Sequence, residues 1–165
     1  MKKFHIAQVN IGRLRAPLDD PLIAGFVARL DDINALADSS PGFVWRLKTE
    51  AGDATSLRPY DDDRILFNLS VWETPEQLRD FVYRGAHVEV MRQRLSWFER
   101  FEGMYHALWW VPAGHIPSID EAKDRLEHLR VHGETGDSFS FAKLFPAPGS
   151  PDSKPTVGFA DPCPA

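Results

Sequence analysis

Residues 65–82 read ILFNLSVWETPEQLRDFV, a strand followed at once by the start of a helix. Ile65 to Trp72 alternate apolar and polar side chains and are rich in aromatic and β-branched types, the period-2 pattern of a strand. Thr74-Pro75-Glu76-Gln77 is an S/T-x-x-E/Q capping box with proline at the first helical position, so the chain must leave the strand and enter a helix within two residues. Leu78, Phe81, Val82, Gly85, Val88, Met91, Leu95 and Phe98 then mark a buried stripe over about five turns, with a break expected at Gly85.

The same grammar is found on either side. Residues 3–11, KFHIAQVNI, read as a strand with Phe4, Ile6, Gln8 and Asn10 on one face and His5, Ala7, Val9 and Ile11 on the other. Asp20-Pro21 starts a helix whose apolar positions Ile23, Phe26, Leu30, Ile33 and Ala37 recur at steps of three and four, and Ser39-Ser40-Pro41-Gly42 ends it. Phe43 to Lys48 is a short strand, separated by a polar loop from Ile65 to Trp72, and Tyr105 to Val111 is a strand stopped by Pro112. The order β-α-β-β-α-β predicts an α+β, ferredoxin-like antiparallel sheet with two helices on one face. The other face, carrying Val9, Ile11, Phe67 and Trp109, is apolar and is expected to bury against a second copy, making a homodimer.

Beyond this unit, Ser118-Ile-Asp-Glu121 is a second capping box, and Ile119, Ala122, Leu126 and Leu129 continue a helix to His132, closed by Gly133. Phe139 to Phe145 is a short apolar run suited to an edge strand or an arm. Residues 146–165 turn to Pro, Gly, Ser and Asp and predict a flexible tail after a single domain spanning 1–145.

The 165 residues suit one domain, and a net charge of −5 argues against a broad nucleic-acid surface. The single cysteine, Cys163, cannot form an internal disulfide. The amino terminus alternates in polarity and gives neither a signal peptide nor a membrane span, so a cytoplasmic protein is expected. No HExxH, GxSxG, GxGxxG or phosphate-loop pattern occurs.

The runs YRGAHVEVMRQRLSWF, LWWVPAGHIPSIDEAKDRLEHLRVHG and FSF, in this order, resemble a bacterial domain-of-unknown-function family of the dimeric α/β-barrel superfamily, alongside the antibiotic-biosynthesis monooxygenases. The resemblance spans residues 3–145. It implies a ferredoxin-like protomer paired sheet to sheet as a dimer, and it implies no settled activity, because the superfamily holds enzymes, haem proteins and proteins without known catalysis.

Within that frame the chemistry-bearing candidates cluster in residues 83–117, where three of the six histidines lie among tryptophans and arginines. Tyr83, His87 and Arg94 fall near one line of the helix. In haem-degrading relatives an Ala-His pair supplies an axial ligand; Ala86-His87 resembles it, and Asn10 resembles a first-strand asparagine, but Phe81 stands where those enzymes carry a tryptophan. His87 therefore has three readings: a structural histidine, a pocket base and a haem ligand.

By resemblance to the cofactor-independent monooxygenases, a flat phenolic or enolic substrate would need a base (His87 or His106), an oriented amide (Asn10 or Asn68) and a cation beside an aromatic wall (Arg92 or Arg94 with Trp72). The expected site is thus His87, Arg94 and Asn10 as catalytic groups, with Trp72, Tyr83, Asn68, Phe81, His106 and Trp110 binding a small hydrophobic or aromatic molecule. No cofactor is expected, with haem the alternative; a dimeric binding or scaffold protein without catalysis is the third reading. Trp109 and Trp110 must face opposite sides of their strand. His128 and His132 lie four apart on the last helix, but without a carboxylate partner they make an incomplete metal site.

Overall fold

The computed structural model describes residues 2–49, 52–55, 57–83, 86–151 and 154–157, the side chains of residues 86, 87, 91 and 157 excepted. Four antiparallel strands form the sheet: β1 (Phe4–Arg13), β2 (Phe43–Arg46), β3 (Ile65–Trp72) and β4 (His106–Pro112), in the spatial order β2-β3-β1-β4. The expected β-α-β-β-α-β order is observed.

The first crossover is a 3₁₀ turn (Pro21–Ile23), capped by the Asp20 carboxylate on the Leu22 amide, running into α1 (Ala24–Ser39). The second begins at the capping box, where Thr74 Oγ1 accepts from the Gln77 amide at 3.2 Å. The single long helix expected there is divided into α2 (Pro75–Tyr83), α3 (Ala86–Arg92) and the one-turn α4 (Arg94–Trp97). Gly85, where the break was placed, lies outside the described residues; a second interruption at Gln93 had no glycine or proline to announce it.

Register fixes two sheet faces. Ile6, Gln8, Asn10 and Gly12 of β1 pair with Trp72, Ser70, Asn68 and Leu66 of β3, and the first three with Trp110, Leu108 and His106 of β4. This face looks toward α1 to α4. The opposite face carries Ala7, Val9, Ile11, Leu69, Val71 and Trp109, all at most 2% exposed.

That second face is where the structure departs from expectation. It is not open to a second copy: α5 (Ile119–His132) packs its own Ala122, Leu126 and Leu129 into the same apolar cluster, each at most 1% exposed. The loop between β2 and β3 covers the β3 side, with Tyr60 against Phe67 at 6.3 Å and Lys123 Nζ donating to the Pro59 carbonyl. Trp109 donates its indole N–H to Glu121 Oε1 at 3.0 Å, tying the start of α5 to the sheet. Val9, Ile11, Phe67 and Trp109, the residues expected to bury in a sheet-to-sheet homodimer, are covered within the chain by the third helix, each at most 3% exposed.

After α5, Phe139 pairs with Leu108 on the free edge of β4. The chain then crosses to the helical face, placing Phe139 (0% exposed) and Phe141 (5%) in a cluster with Ile6, Trp72 and Leu78. Within the segment expected as a tail, Thr156–Val157 pairs with Lys143–Leu144 as a two-stranded ribbon. Cys163 lies outside the described residues. No helix among the described residues is long and apolar enough to cross a membrane.

Candidate functional site

Between the helical face of the sheet and α1 to α4 lies a cavity of about 230 Å³. Its existence explains an oddity of α1. The helix presents the expected apolar stripe, yet Phe26, Leu30 and Ile33 stay half-buried, because they roof a hollow and do not rest on the sheet.

The floor is polar, which is unusual for the inner face of a sheet. Gln8 (6% exposed) and Ser70 (5%) are the buried polar residues of the floor. Gln8 Nε2 donates to Asn68 Oδ1 and to Ser70 Oγ, both at 2.9 Å. The Trp72 indole N–H donates to the same Ser70 oxygen at 3.0 Å. An indole N–H can only donate, so Ser70 Oγ accepts from Trp72, and it accepts from the Gln8 NH₂ as well. With Gln8 donating, Asn68 turns its carbonyl oxygen toward Gln8. Asn68–Asn10–His106 is one cross-strand row, and the Asn10 side chain has no hydrogen-bond partner among the described residues.

Aromatic side chains form the walls. Phe81 stacks on Trp72 with ring centroids 5.1 Å apart, and Phe43 meets Trp72 edge-on at 5.4 Å. At the β4 side, Phe141 stacks on His106 (5.1 Å, 14° between planes) and touches Tyr83 at 5.7 Å. At the far end Phe98 lies over Gly12, and Arg94 holds its guanidinium 4.6 Å from the Tyr105 ring and 6.0 Å from that of Phe98. Arg46 reaches the cavity too, but its charge is committed: Nε and one terminal nitrogen grip both oxygens of Asp38, at 2.7 and 3.2 Å, and the other bonds the Gly52 carbonyl. This grip holds the Asp38 carboxyl below its usual range.

The cavity thus brings together Asn10, Asn68, Trp72, Phe81, Tyr83, Arg94 and His106. Trp110 is not among its lining residues: its N–H donates to the Phe145 carbonyl at 2.9 Å. The imidazole of His87 lies outside the described side chains, and only its backbone is placed, in the first turn of α3. Gln8, Ser70, Phe98, Tyr105 and Phe141 were not foreseen as site residues. Gln8 was legible, since it alternates with Asn10 on one strand face; Phe141 was not, because only the fold brings the arm after α5 to the cavity. His128 bonds Thr135 and faces His132, and no cluster of three or more metal-binding side chains occurs among the described residues.

No curated protein matches this sequence. Among solved structures, it is similar to SnoaB, a cofactor-independent oxygenase from Streptomyces nogalater, at 18% identity and a TM-score of 0.47, over 69% of this chain and 98% of that one. It is similar also to the NE2512 protein of unknown function from Nitrosomonas europaea, at 10% identity and a TM-score of 0.43, over 72% and 99%. The family match is more extensive, covering residues 5–155: this chain belongs to DUF3291, a domain of unknown function.

Proposed function

We propose that the protein binds a small, flat phenolic or enolic molecule in the cavity between the sheet and α1 to α4, and oxidises it with dioxygen as a cofactor-independent monooxygenase. The observation that supports this most directly is the Gln8–Asn68 bond, which orders side-chain amides on the polar floor of a cavity lined also by Trp72, Phe81 and Phe141. Fixed donors in a partly dehydrated cavity stabilise an oxyanion more than water does, because they need no reorganisation when the charge forms.

The reaction class balances without a further reductant. An activated CH₂ beside a phenol or enol is converted to C=O, one oxygen atom of O₂ entering the product and the other leaving as water with the two hydrogens removed. In this reading Asn10 and Asn68 hold the enolate oxygen, Trp72 and Phe81 flank the ring, Tyr83 and Phe141 close the β4 side, and His106 or His87 takes the proton.

Haem does not fit the described residues. A cavity of about 230 Å³ suits a ligand of one or two rings and is small for a porphyrin.

Two measurements on the purified full chain test the reading: tryptophan fluorescence quenching by a panel of phenols and enolisable aryl ketones, and oxygen uptake with whichever bind. Saturable quenching with oxygen uptake is expected, and both should be lost in Asn68→Leu. Binding without uptake would leave a binding protein and sink the catalytic half; no binding in the cavity would sink the whole.

A further inference from the structure

We infer that the ligand carries a permanent anionic group, a carboxylate on its aromatic frame, and that Arg94 is the residue that receives it. The inference rests on the cavity being a ligand site and adds the charge of what fills it.

Arg94 is half-buried, with its guanidinium laid along Tyr105 and Phe98 at the cavity's far end. Its guanidinium has neither a hydrogen bond nor an ion pair among the described residues. A guanidinium carries five N–H donors and cannot give up its proton, so a partly desolvated one normally finds a carboxylate. The other charges around the cavity sharpen the contrast. Arg46 is neutralised by Asp38 in a two-oxygen grip. Arg29 bonds only the neutral Gln93 amide, at 2.8 Å. Asp53, the one acid of the lining, spends an oxygen on the amide and hydroxyl of its own neighbour Thr55. Among the described residues the cavity is therefore left with two cations that no carboxylate answers and one loop acid, in a chain whose overall charge is −5.

Geometry selects the kind of anion. Arg94 Cζ lies 4.6 Å from the Tyr105 ring centroid, and the in-plane N–H pairs of a guanidinium match the two oxygens of a carboxylate. The amide row Asn68–Asn10 lies on the adjoining floor, so an acceptor on the same ring would meet a donor as well.

The test uses 2-naphthoate against its uncharged primary amide, 2-naphthamide, titrated by tryptophan fluorescence into wild type, Arg94→Met and Arg94→Lys. The expected result is that wild type prefers the acid by at least tenfold, that Arg94→Met removes the preference while still binding the amide, and that Arg94→Lys restores only part of it. Equal binding of acid and amide by wild type, or a preference unchanged in Arg94→Met, would overturn the inference while leaving the cavity reading intact. Failure of wild type to bind either compound would remove both. Circular dichroism melts of the two variants separate loss of fold from loss of preference.

Discussion

Gln8 and Asn68 sit diagonally across β1 and β3, joined by a 2.9 Å hydrogen bond from Gln8 Nε2 to Asn68 Oδ1. Gln8 Nε2 also donates to Ser70 Oγ, which accepts from the Trp72 indole as well, so this network turns the Asn68 carbonyl toward Gln8. Gln8→Glu keeps the shape and removes the donor. Asn68 should then turn its NH₂ toward the new carboxylate and show a carbonyl to the cavity. We expect binding of an aromatic carboxylate to fall at least tenfold, with the Asn68 side-chain amide resonances shifting in ¹⁵N–¹H spectra. Unchanged binding with shifted resonances would show that Asn68 does not hold the ligand.

Much of this architecture is legible in local sequence because capping and alternation act over a few residues. Thr74 and Ser118 start their helices where the capping boxes place them, and the two faces of β1 divide as its alternation dictates. What was illegible depends on distant partners. The Ala122–Leu126–Leu129 stripe announces a helix that must bury one side, but nothing in those residues says whether it covers its own sheet or lies elsewhere. The site is divided in the same way: Asn10, Asn68 and Trp72 announce themselves on strands, whereas Phe141 reads as an arm until it stacks on His106.

The role of α5 as a cover predicts where the stability of the second face resides. Leu126 is fully buried against the sheet. Leu126→Ala should cost about 2–5 kcal/mol in urea unfolding, the usual range for a cavity-forming core truncation. Light scattering across a concentration series should give one mass for the wild type and the folded variant, since the face is buried within one chain. A variant that unfolds on dilution, with the wild type dimeric, would point instead to a partner on that face.

The Arg46–Asp38 pair carries a pH signature. Hydrogen bonding from Arg46 is the largest cause lowering the Asp38 carboxyl, so the folded state binds that proton less readily than the unfolded chain. The stabilisation is complete above the unfolded carboxylate pKa of ~3.9 and is lost as pH falls through the lower folded value. Asp38 is 40% exposed, so solvent screening limits the contribution to about 0.2–1 kcal/mol. Asp38→Asn should be less stable than wild type by this amount at pH 7, with the difference shrinking as the pH falls below the unfolded carboxylate value of ~3.9. Thermal melts on either side of that value, and an equal penalty on both, would decide against the ion pair as the cause.

Gly12 supplies the most local test of the cavity's far end. No positive φ is involved, so an added side chain meets only the question of space. A Cβ at this position would fall 2.8 Å from Phe98 Cδ1 and 2.9 Å from Cε1, closer than carbon atoms tolerate. The Phe98 backbone cannot retreat freely, because it bridges Leu14 in the extension of β1, and its ring is set edge-on against Phe26 at 5.2 Å. The ring must therefore swing toward the cavity, taking with it part of the aromatic surface on which Arg94 lies. Gly12→Ala should cost about 1–3 kcal/mol, as overpacked sites do, and should weaken 2-naphthoate binding more than that of a smaller acid such as benzoate. Adding Phe98→Leu shortens the obstructing side chain, so the double variant should regain most of the stability lost by the single one. Binding, however, should not recover in parallel, because the platform under Arg94 is then smaller; recovery of both together would mean that Phe98 fills space and does not position the guanidinium.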